Sequence, residues 1–214
     1  STINGGHRNI IQSPTNECCS RGATIGGGVG HNSSGGTLNA TTGNLTGVIT
    51  CCNAGPFSTI SGGLRNCATG DYSTIGGGCC NTASSDSSTI GGGQSNTASG
   101  NCSTVGGGEN STASGDGSTV GGGIVNTSSG LYSTVSGGGF STASGNYSTV
   151  GGGFLNTASG LYSGILGGTS NHTCGFANSF IVGSNLCATV SCTTFMNNLN
   201  VKDNTELGSA VTNT

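Results

Sequence analysis

The triplet Ser-Thr-Ile/Val begins at Ser58, Ser73, Ser88, Ser103, Ser118, Ser133 and Ser148, fifteen residues apart each time. A period so short constrains the fold strongly, because one unit is too small to bury a core and must stack on its neighbours. The full unit reads S-T-[IV]-G-G-G-x-x-N-T-A-S-G-x-Y, as in residues 148–162. Degenerate copies begin at Ser1, Ala23, Gly43, Ser163 and Asn178, so seven regular and five degenerate copies predict about twelve turns. Insertions at residues 12–20 and 36–42 are expected to loop out of the stack. Three segments follow: degenerate turns at 1–57, regular turns at 58–177, and a terminal turn with an extended linker at 178–214.

Fifteen residues are too few for a helical repeat but suit a turn with two short alternating segments separated by glycines. The chain is therefore expected to be all-β, a parallel β-solenoid or β-roll. Alternation places Ser and Ile/Val of S-T-V on one face and Thr on the other. In N-T-A-S it places Asn and Ala together. The predicted inward columns are thus Val105, Val120, Val135 and Val150, then Ala98, Ala113, Ala143 and Ala158, then Asn66, Asn81, Asn96, Asn126 and Asn156, with Asn171 continuing the last. A buried Asn column needs its amides paired with each other or with corner carbonyls; a simple turn preference of Asn is the other reading. The glycines fit close backbone approach and positive φ at the corners. At roughly 4.8 Å per turn the rod is about 58 Å long.

The chain has 45 Gly, no Trp and one Met, so the coil holds little apolar volume. Its larger apolar residues fall at the corners: Ile124-Val125, Phe140, Phe154-Leu155, and Tyr72, Tyr132, Tyr147 and Tyr162. Those corners are expected to meet other copies of the chain in a parallel homotrimer, making association part of folding.

The order A-x-G-x-x-S-x-V-x-G-G-x-x-N-x-A-x-G, at residues 143–160, resembles the head repeat of trimeric autotransporter adhesins, and similar repeats occur in bacteriophage and large-virus fibres. The resemblance covers roughly residues 58–177 and implies a left-handed parallel β-roll trimer. The third consecutive Gly, the Asn where Ala is usual and the many cysteines depart from that pattern. The tail from Thr194 to Val201 resembles a strand linking modules of viral tail fibres.

Eleven cysteines favour an oxidising location, and the odd number leaves one unpaired within a chain. Cys18-Cys19, Cys51-Cys52 and Cys79-Cys80 are vicinal; they suit a covalent ring between chains, while Cys52 and Cys67 fall one turn apart, within disulfide reach in one chain. Plain small buried thiols are the third reading. His7, His31 and His172 lack the paired spacing of a zinc site. The acids Asp71, Asp86, Glu109 and Asp116 lie in separate turns, and no Ser has a spaced His-Asp partnership. Neither a cofactor nor an enzyme activity is expected. Sequons occur at Asn32, Asn39, Asn44, Asn101, Asn110, Asn126, Asn146 and Asn171, about as many as chance produces in so Ser/Thr-rich a chain.

A formal net charge of −3 with four Lys and Arg gives no footprint for nucleic acid, and no run of eighteen apolar residues spans a bilayer. The start at Ser1 and the end at Thr214 in mid-pattern suggest a piece of a longer protein. The expected function is a structural and adhesive fibre, extracellular or on a virion, presenting a receptor-binding surface to a host. The alternative is ice binding through the outward Thr column Thr59, Thr74, Thr89, Thr104, Thr119, Thr134 and Thr149.

Overall fold

The computed structural model describes residues 1–11, 22–31, 33–38, 45–51 and 54–197, with 33–38 and 45–51 described by their backbone. Among these residues the chain is an all-β parallel β-solenoid, with no helix. The uninterrupted coil from Ser58 onward makes about nine turns.

Strands of only two residues stack in strict register. Thr59–Ile60 pairs with Thr74–Ile75, and the series runs on through Thr149–Val150 to Gly164–Ile165, Phe180–Val182 and Thr194–Met196. With Thr2–Ile3 and Thr24–Ile25 before it, this ladder has twelve strands. A second ladder of seven runs from Cys67–Ala68 to Thr157–Ala158. The two-segment reading of the repeat missed a third. Single residues at the seventh position of each turn bridge in parallel, from His7 and Val29 through Leu64, Cys79, Gln94, Glu109, Ile124, Gly139 and Phe154 to Thr169.

The expected turn at Gly43 is absent. Thr24 pairs directly with Thr59, and an antiparallel hairpin, Ser33–Leu38 with Leu45–Cys51, leaves the coil between them. The insertion is therefore larger than residues 36–42; residues 12–20 lie outside the described residues. At the other end the turn after Ser163 holds sixteen residues, so the next rung begins at Ser179 rather than Asn178. The extra residue is absorbed by Thr173. Its Oγ1 accepts the Ser159 and Gly160 N–H groups at 2.8 and 3.1 Å. In regular turns those donors find the Ala carbonyl of the next turn, as Ser99 and Gly100 find Ala113.

The interior is narrow. Val105, Val120, Val135 and Val150 are fully buried, as are Ala98, Ala113, Ala143 and Ala158. Asn66, Asn81, Asn96, Asn126 and Asn156 are equally buried and form a continuous polar ladder. Each amide Nδ2 donates twice: Asn81 reaches the Gly77 carbonyl of its own turn and the Gly93 carbonyl of the next, both at 3.0 Å. Its Oδ1 accepts the Asn96 N–H at 2.9 Å. The pattern repeats at Asn66, Asn96, Asn126, Asn156 and Asn171. Ser111 and Ser141 occupy the column at two turns; each accepts the following N–H, at 3.3 Å, and donates its hydroxyl to the carbonyl two residues before, Glu109 and Gly139 at 3.3 and 3.2 Å.

Two glycine positions make this stacking possible. Gly108, the third of its triplet, has φ +93°, and a Cβ there would overlap the Gly123 carbonyl. Gly100, at the opposite corner, has no positive φ but would overlap the Gly115 carbonyl if it carried a Cβ. Elsewhere the corners use left-handed residues that are not glycine. Tyr72, Tyr132, Tyr147 and Tyr162 have φ of 58°, 51°, 56° and 54°, and Val125, Phe140 and Leu155 take 53°, 53° and 56°. At one to two kcal/mol, roughly, each is a cost the stack must cover.

Replacing Asn96 by Ala leaves the Gly92 carbonyl and the Ser111 N–H without their partner, while the Gly108 carbonyl keeps the Gln94 N–H, and should cost about 2–4 kcal/mol. Asn96→Ser retains an acceptor, as Ser111 does, and should cost clearly less. Thermal unfolding of the two variants measures the difference, and equal losses would show that the amide is not what holds the turn.

Candidate functional surface

With the interior filled, what the regular turns offer a partner lies on the outward ladders and the corners. The Thr column from Thr59 to Thr134 is half-buried, Thr149 is exposed, and each Thr lies directly above the last. A second Thr column, Thr82, Thr97, Thr112, Thr127, Thr142 and Thr157, is also half-buried and equally regular. These hydroxyl rows belong to different sheets.

The corners are different. Ile124, Val125, Phe140, Phe154 and Leu155 project from one, and Tyr132, Tyr147, Leu161 and Tyr162 from the other, all exposed. Rings pack along the rod: Tyr132 on Tyr147 and Tyr147 on Tyr162 are stacked at 5.6 and 5.0 Å, and Phe140 meets Phe154 edge-on at 5.4 Å. Phe57 and Tyr72 form a separate stack at 5.1 Å.

The acids act as clamps between turns. An Asp86 oxygen accepts the Asp71 N–H at 3.3 Å and an Asp116 oxygen accepts the Asn101 N–H at 2.9 Å. Among the described residues no cluster of three or more His, Cys, Asp or Glu is placed to hold a metal ion. No helix of the described residues is long and apolar enough to cross a membrane.

Cysteine placement was only partly legible. Cys18, Cys19 and Cys52 lie outside the described residues, and Cys51 ends a strand described by its backbone. Cys67 is buried in the second ladder. The sulfurs of Cys79 and Cys80 face each other at 2.8 Å, and Cys79 is pushed up to about 11, by burial first and then by its contact with Cys80. The shift keeps the Cys79 thiol protonated at neutral pH. Among the described residues a disulfide joins Cys174 to Cys187, with Cα atoms 6.3 Å apart. Cys187 bridges His172, and the turn that follows, with Cys174 at a left-handed φ of 51°, brings the second sulfur within reach. The separation of thirteen is neither vicinal nor one full turn of fifteen, the two spacings that the sequence suggested.

The sequons divide by burial. Asn126 and Asn171 spend their amides on the interior ladder, so the folded rod offers no acceptor there. Asn101, Asn110 and Asn146 are exposed at corners; Asn32, Asn39 and Asn44 lie outside the described residues.

His7 and His172 are exposed, whereas His31 is fully buried in the Asn ladder. Its Nδ1 accepts the Asn66 N–H at 3.2 Å and its own N–H donates to Asn9 Oδ1 at 3.1 Å. The imidazole must be neutral to accept there, and its Nε2 reaches no partner in hydrogen-bond geometry. Burial lowers its pKa below the usual 6.5, against smaller opposing effects of the Gly27 and Asn66 backbone. A lowered folded pKa means that the unfolded chain binds the proton more readily. Stability is therefore full above about 6.5 and falls as pH drops through that value towards the folded pKa. Relative to the intrinsic, base-catalysed exchange rate at each pH, amides of the first turns should be less protected at pH 5 than at pH 7, and His31→Asn should abolish that difference in protection.

In comparison with known proteins, the chain matches no family model and no curated protein sequence.

Proposed function

We propose that this chain is the shaft or head of a stiff homotrimeric fibre on a virion or cell surface, which holds a receptor-binding surface towards a host and performs no catalysis. The observation that carries this reading is a rod of constant cross-section whose large apolar side chains stand outside it. A monomer in water gains nothing from such ridges. Covered by other copies of the chain, they supply the broad core that one Ile or Val and one Ala per turn do not. The resemblance of residues 58–177 to trimeric adhesin heads agrees with this, as does the pairing of 33–38 with 45–51 in a hairpin that belongs to neither ladder and is free of the repeat's constraints. The partners proposed are the chain itself and a host-surface receptor or glycan, with neither nucleic acid nor a membrane insertion of this segment.

Light scattering of the native protein, with and without reductant, tests the reading. Three chains per particle are expected. Loss of the trimer only with reductant would locate cysteine bonds between chains, and a monodisperse monomer would overturn the fibre.

The in-register Thr rows favour a second reading, ice binding by a single rod. Thermal hysteresis separates the two: the fibre should show none, whereas hysteresis abolished by substituting Thr104 and Thr119 with a bulkier Tyr would move ice binding to the front.

A further inference from the structure

The two apolar corners occupy the same turns. In the turns starting at Ser118, Ser133 and Ser148, one corner carries Ile124-Val125, Phe140 and Phe154-Leu155, while the other carries Leu131-Tyr132, Tyr147 and Leu161-Tyr162. In the three turns before them both corners lose their large apolar residues together. The first corner there reads Cys79-Cys80, Gln94-Ser95 and Glu109-Asn110, and the second Asp86-Ser87, Asn101-Cys102 and Asp116-Gly117. Glu109 and Asp116 mark the boundary on both corners, and from Gly117 to Val201 no Asp, Glu, Lys or Arg occurs.

We infer that these unlike ridges are the two halves of one seam: the Phe corner of each chain packs on the Tyr corner of the next, in parallel and at the same level, closing a ring of copies. The inference rests on the fibre reading and adds which surfaces meet. A cyclic ring needs two different patches per chain, whereas a two-fold dimer needs one patch that matches itself. Here there are two, and their matched axial extent is what a parallel, unshifted assembly requires. An antiparallel or staggered pair would set the apolar block of one chain against the acidic block of another. Nine side chains about half exposed, at roughly 150–250 Å² for each fully buried aromatic, bring about 800 Å² per chain, divided between its two seams. Each seam then buries about 800 Å² in total, less than a standard interface between two partners, so the assembly depends on closing the whole ring.

The test is a charge swap across the seam. Phe154 is 48% and Tyr162 50% exposed, so neither substitution opens the interior of the coil. Phe154→Lys and Tyr162→Glu should each weaken assembly by about 100-fold or more, read by light scattering across a dilution series, because each buries an unpaired charge. The double variant should recover to within about ten-fold of the wild type, since opposite charges then meet at every seam. Circular dichroism reports whether each variant keeps its strands. If both singles unfold, recovery of fold and assembly in the double variant still supports the seam. A trimeric wild type whose singles assemble normally, or whose double variant does not recover, would overturn the seam and leave the fibre standing. A monomeric wild type would overturn both.

Discussion

One buried polar side chain per turn, in most turns an Asn amide, sets the geometry of this molecule. Asn96 donates to the Gly92 carbonyl before it and the Gly108 carbonyl of the next turn, while its oxygen receives the Ser111 N–H. The same group thus closes its own corner, spaces the next and aligns the backbone that follows. A buried donor left unpaired is costly, so a turn with another residue count is admitted only where something replaces the lost bond. The sixteen-residue turn shows the rule, since it is the Thr173 hydroxyl that receives the two N–H groups otherwise directed at a carbonyl. His31, ring-shaped and titratable, accepts the next N–H only as a neutral ring, so its hold on the following turn depends on pH.

A coil held this way has little room inside it. Gly108 and Gly100 allow adjacent turns to approach until no Cβ fits between them, and this closeness limits the interior to one Ile or Val, one Ala, a Ser and an Asn in a typical turn. Each turn touches only its two neighbours, so stability accumulates along the rod as in other solenoids. Aromatic residues have no place within. They stand at the corners, stacking turn on turn in left-handed backbone positions that are strained for any side chain. Both features raise the value of covering those corners.

Much of this was legible in the sequence because the interior columns are written in side chains. Val120, Ala113 and Asn126 repeat at fixed positions, and alternation alone points them inward. The third ladder was not legible, since the backbone forms it: Leu64, Gln94, Glu109, Gly139 and Phe154 share no chemistry, yet all bridge. Left-handed φ at Val125 and Tyr132 was hidden for a related reason, as glycine is the residue that usually marks it. The copy expected at Gly43 failed because strand pairing joins Thr24 to Thr59 directly and spends the intervening residues on a hairpin. The corner residues could be named and the fifteen-residue spacing puts both ridges in the same turns, but that their large side chains stand exposed outside the coil is seen only in the structure.

That coincidence follows from how the repeat divides its labour. Of the fifteen positions, the interior and the close approach of turns dictate the Ser, Ile/Val, Asn, Ala and glycines, and the two Thr rows vary little. The free positions are those at the two corners: the pair after the Gly triplet and the pair before the next Ser. Specificity towards a partner has to be written where the fold does not already determine the residue. In this rod that means the corners and the hairpin. The corners change from polar to apolar together, between the turn of Glu109 and Asp116 and the turn of Ile124 and Tyr132. Two positions seven residues apart have no local reason to change in step; a shared neighbour pressing on both at the same height gives them one.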